Sequence, residues 1–95
     1  MLFVFQRETR HTFWMKDMHF PLDMVWINSR CTVVDITLDA PPPNPDRALA
    51  DLPTYAPSEP AMYVFEINAR DPKGAGLKPG DPVTFGGKLA GQFTC

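Results

Sequence analysis

Apolar and polar positions alternate along this chain in short runs, and each run is closed by turn residues. Residues 2–5 are wholly apolar and β-favouring, which predicts a buried strand, and residues 6–11 then read as a polar connection. Residues 12–16 alternate so that Phe13 and Met15 share one face while Trp14 and Lys16 share the other. Pro21 lacks an amide hydrogen and holds Phe20 in extended geometry, so this strand ends in a turn. A third strand is predicted over residues 22–28 and a fourth over 31–38, joined by a tight turn at Asn28-Ser29-Arg30. In the fourth strand Val34, Ile36 and Leu38 are expected on one face, with Asp35 and Thr37 on the other. Residues 62–68 alternate again and set Tyr63, Phe65 and Ile67 against Val64 and Glu66. Pro79-Gly80-Asp81 marks a turn, and residues 83–85 give a last short strand before Gly86-Gly87.

Residues 39–60 hold seven of the eleven prolines, so regular structure there is limited to one helical turn at 46–51. A connection of that length reads as a surface crossover, with a lid or a polyproline ligand as its functional alternatives. The one PxxP spacing, Pro42 to Pro45, is a weak signal. Asp71-Pro72 can open a very short helix that Gly76 would close. The sum is a single, mainly β domain over residues 1–95. It is either a small, partly open antiparallel barrel or two packed antiparallel sheets, with at most one short helix.

Ninety-five residues can bury a modest core without help. A net charge of −2, with no cluster of lysine and arginine, argues against nucleic acid as a partner. No apolar run reaches the ~18 residues of a membrane span, and no basic-then-apolar leader opens the chain. The sequence as written therefore predicts a cytoplasmic protein without membrane contact. Cys31 reads as a half-buried strand residue and Cys95 as a frayed end, so no native bridge between them is expected.

The chemistry concentrates in Phe13-Trp14-Met15-Lys16-Asp17-Met18-His19-Phe20-Pro21-Leu22-Asp23. Charges beside so much apolar surface must be paired, hydrogen-bonded or kept wet, which points to a solvated pocket rim or an ion-pair network. Trp14, Lys16 and Asp23, with Glu66 as an outer member, are the candidate ligand-binding residues. The structural alternative is an Asp23–Lys16 ion pair that fastens the turn under Trp14 and sets strand register. His11 and His19 lack metal-ligand spacing, and no nucleophile, phosphate-loop or dinucleotide motif occurs, so neither catalytic residues nor a metal or cofactor is predicted. Asp23 and Glu66 are the one carboxylate pair available to an acid–base enzyme.

Taken with residues 2–5, with Leu22-Asp23-Met24-Val25-Trp26-Ile27, with Met62-Tyr63-Val64-Phe65-Glu66-Ile67 and with Leu77-Lys78-Pro79-Gly80-Asp81, that motif resembles domain-of-unknown-function family 192 (uncharacterised protein family 0127). The resemblance implies a small β domain, often exported, without an assigned activity. It also implies a leading strand ahead of Met1, where this chain begins inside the pattern; Arg70 stands where the family carries glycine. The expected function is a binding module for an unknown small molecule at the motif. The alternatives are a structural or protein-interaction domain that dimerises through an open sheet edge, and a small acid–base enzyme.

Overall fold

The protein is described by a computed structural model over residues 2–15, 20–42, 53–69 and 77–84. Six strands follow in order: β1 (Leu2–Thr9), β2 (Phe13–Trp14), β3 (Leu22–Ile27), β4 (Val33–Ala40), β5 (Thr54–Tyr55) and β6 (Ala61–Asn68). Four form an antiparallel sheet in the order β1-β6-β3-β4, and β2 with β5 forms a two-stranded ribbon. The fold is thus mainly β, built as two packed sheets and not closed into a barrel. The described residues contain no helix, and none of their elements is a helix long and apolar enough to cross a membrane. The helical turns expected at 46–51 and 71–76 lie outside them.

Strand β3 sits between β6 and β4, which explains its sequence: Met24-Val25-Trp26-Ile27 is apolar at successive positions because both faces are covered. One face packs Leu22, Met24, Trp26 and Val64 beneath the ribbon, with Phe13, Met15 and Tyr55 coming from the ribbon side. Phe13 stands edge-on to Phe3 at 4.9 Å and to Trp26 at 5.8 Å between ring centroids, a favourable aromatic geometry. The other face gathers Val25, Ile27, Val33 and Tyr63, against which Leu77 and Val83 pack. Trp26 is completely buried, and its indole Nε1 donates to Thr37 Oγ1 at 3.0 Å, so its polar atom is satisfied.

Several local expectations change. Strand β1 runs to Thr9, through residues that read as a polar connection. It is an outer strand of the four, so polar side chains there reach solvent, and its register slips between Val4 and Thr9. The Glu8 carboxylate accepts from the Ser29 amide at 2.8 Å and from the Ser29 hydroxyl, tying the end of β1 to the β3–β4 turn. That turn extends through residues 28–32, held by Asn28 Oδ1 accepting from the amides of Arg30 and Thr32. Cys31 therefore lies in the turn, at φ 64°, and not in β4. It is also disulfide-bonded, contrary to expectation; the other half of the bridge lies outside the described residues.

Strand β4 breaks the simple alternation. Its pairing with β3 shifts between Trp26 and Ile27, so Val33 joins one cluster and Val34 the other, while Ile36 packs with Val33 and Leu38 is 71% exposed. An extra residue on one strand turns every later side chain over, which is why Val34, Ile36 and Leu38 do not share a face. The last predicted strand is reduced to one bridge, Thr32 to Pro82, flanked by Val33–Asp81, Gly80–Val33 and Val83–Cys31 backbone bonds. Gly80 sits at φ 97°, the conformation its turn requires.

Truncating the buried indole tests this core. Trp26→Ala should cost about 3–5 kcal/mol in urea unfolding, a large part of a typical 5–15 kcal/mol stability. Thr37→Val should cost about 1–3 kcal/mol, because it strands the indole N–H in the core. A Thr37→Val protein as stable as the wild type would show that this hydrogen bond adds nothing.

Candidate functional site

Strand β2 carries the first half of the motif. Phe13 and Met15 turn inward to the aromatic core and Trp14 turns outward, 45% exposed, as the alternation predicts. Lys16, the cation assigned to the same face as Trp14, lies outside the described residues, as do residues 17–19. On the far side of that gap Phe20 is 52% exposed just before the proline turn. The motif therefore presents two large aromatic side chains to solvent, one on each flank. Phe20 was not singled out by sequence; its place before Pro21 was the available signal.

Asp23 has a structural task. The β3–β4 pairing passes from Leu22–Ala40 to Met24–Thr37, so Leu38 and Asp39 together stand opposite Asp23 alone. At this bulge Asp39 adopts φ 55°, a left-handed conformation that aspartate tolerates better than most residues. The Asp23 carboxylate receives the Asp39 amide at 2.8 Å on Oδ1 and so holds the bulge in place. A short acidic residue beyond the proline turn can reach that amide, which gives the Pro-Leu-Asp sequence a physical purpose.

Glu66 lies on the opposite face of the sheet from Asp23. Register sets Glu66 beside Met24 and Asp23 beside Ile67, on consecutive β3 residues whose side chains point to opposite sides. Two carboxylates separated by a sheet cannot flank one scissile bond, so the paired-acid arrangement considered for hydrolysis is not formed. Glu66 is 5% exposed among Met24 and Val64, and desolvation raises its carboxyl above the ordinary 4.5. Of the residues predicted for the site, Trp14 is on the solvent side of the ribbon, Glu66 beneath the covered face and Asp23 on the far face. His11 stacks on Phe5 at 3.6 Å with Nε2 buried, and no group of three metal-ligating side chains occurs among the described residues.

The sequence profile of DUF192, described as an uncharacterized ACR, matches residues 1–85. The chain belongs to the DUF192 family. Two solved structures share the DUF192 chain's fold. A protein of unknown function from Novosphingobium aromaticivorans DSM 12444 superposes with a TM-score of 0.73 at 29% identity, over 90% of this chain and 56% of that one. A protein from Sinorhizobium meliloti 1021, provisionally named a transcription regulator, gives 0.71 at 35% identity, over 86% of this chain and 58% of that one. The chain thus spans little more than half the length of either relative. No curated protein matches it.

Two measurements follow from the carboxylates of this DUF192 protein. Asp23→Ala should lose about 1.5–3 kcal/mol, the worth of a hydrogen bond to a charged group, and Asp23→Asn, which keeps an acceptor oxygen, should lose less. Full stability in both variants by urea unfolding would remove the bulge-holding role. For pH, Glu66 has a raised folded value, so its contribution is complete below 4.5 and is lost as pH rises through that folded value. Glu8 is lowered by its two Ser29 hydrogen bonds, so its contribution is present above 4.5 and disappears as pH falls. Glu66→Gln should therefore gain on the wild type as pH rises above 4.5; parallel stability profiles would contradict this.

Proposed function

We propose that this DUF192 protein is a binding module that takes a small ligand on the solvent side of the motif, with Trp14 as the aromatic wall and Lys16 as the polar contact. The observation that carries the reading is the exposure of Trp14 and Phe20 on the two flanks of one motif whose intervening Met15 is buried in the core. Large aromatics kept in water at a rigid core edge offer a stacking surface at little entropic cost. In this reading Asp23 shapes the turn and Glu66 sits beneath it, so both support the site from behind. The regulatory role named for the Sinorhizobium relative is compatible with ligand sensing, though that protein is considerably longer.

A second reading is favoured by one observation. Val4 is 41% and Phe65 37% exposed, on the same face and on adjacent strands, and β1 has no neighbour on its outer side among the described residues. A second copy adding β1 to β1 would cover that patch and pair the free edge.

A thermal-shift screen against nucleotides, sugars, amino acids, small acids and metals separates the two. A ligand at 100 times its Kd stabilises by about 2.7 kcal/mol, which is a shift of roughly 10 °C or more for so small a domain. The expected result is a hit abolished by Trp14→Ala or Lys16→Ala, with the ligand-free melting temperature unchanged. No hit across the panel, together with a dimer in light scattering that Val4→Lys dissociates, would replace the first reading with the second.

A further inference from the structure

The covered face of the sheet owes its protection to an unusually small set of contacts. Residues 53–60 cross it, and within them only Tyr55 and Pro57 are withdrawn from solvent. Three of these eight residues, Pro53, Pro57 and Pro60, have no amide hydrogen to give to a ladder. The pairing with β2 is limited to Phe13–Tyr55 and Trp14–Thr54, whereas β3 pairs with β6 over six positions. Two polar ties complete the attachment. Arg10 Nε donates to the Pro57 carbonyl at 3.0 Å, and the Ser58 amide donates to Asp35 Oδ2 at 2.8 Å. Beneath lie the rings of Phe13 and Trp26, and Trp26 has no exposed surface.

We propose that residues 53–60 form a strap that opens as a unit while the four-stranded sheet stays intact, uncovering the aromatic face around Phe13 and Trp26. Segments with few buried apolar contacts and few ladder bonds open at lower free energy than the elements they cover. Arg10 controls the opening, because its guanidinium holds the strap to the end of β1 through the Pro57 carbonyl. Since Thr54 pairs with Trp14, the same movement frees the strand that carries the aromatic wall of the motif. The strap is measured without any ligand, so its failure and the failure of the binding reading are told apart.

Hydrogen exchange read by mass spectrometry tests this in the unliganded protein. The peptide covering residues 53–60 should exchange at least about 100-fold faster than peptides from β3 and β6. Arg10→Ala should speed exchange in the strap alone, leaving β3 and β6 unchanged. Equal rates for strap and sheet in the wild type would overturn the proposal, as would an Arg10→Ala variant that speeds both alike. Acrylamide quenching in the Trp14→Phe protein, whose single remaining tryptophan is Trp26, gives an independent readout that needs no change at Arg10. Quenching of Trp26 should rise under conditions that keep the sheet's circular dichroism; a Trp26 shielded until global unfolding would also overturn the strap.

Discussion

Strand β3 is hydrogen-bonded along both edges, to β6 and to β4, and apart from Asp23 its residues are buried. A six-residue strand covered on both faces must supply apolar side chains at successive positions, and its neighbours must supply two separate apolar surfaces. The two clusters follow from that demand: the aromatic one under the ribbon and the aliphatic one under residues 77–84. Trp26 sits where the demand is greatest. Its large ring fills the covered face, and Thr37 on the adjoining strand accepts its one polar hydrogen.

Polar groups in this domain mostly fix geometry. Glu8 ties the end of β1 to the β3–β4 turn, Asn28 closes that turn, Asp23 holds the second β4 bulge, and Asp35 receives the strap. Each is a carboxylate or amide oxygen accepting from a backbone amide. Such bonds fix irregular backbone that has no ladder of its own, which a domain with bulges and proline-rich crossings needs in quantity. Glu66 is different, since its carboxyl is held in an apolar setting that favours the protonated form.

The DUF192 motif thus divides into two halves with different physics. Phe13, Met15, Leu22 and Asp23 are architectural: three fill the core and one holds a bulge. Trp14 and Phe20 face water, where architecture does not account for them. That division is the reason the proposed binding surface rests on the aromatics, with the acids behind it.

The alternating patterns of residues 12–16 and 62–68, the apolar run of β3 and the proline turn determined by themselves the strand count, the inward face of Phe13 and Met15 and the sides taken by Val64 and Glu66. These are local consequences of a two-residue repeat and can be read from neighbouring residues. Only the tertiary structure decided that Asp23 and Glu66 are separated by the sheet, that Val34 and Ile36 part company, and that Cys31 leaves its strand for the turn. Each depends on register or on a bulge, where one inserted residue on β4 changes the side of everything after it. No pattern within β4 shows which partner residue it will skip, because that choice is made by β3 and by the carboxylate of Asp23 across the sheet.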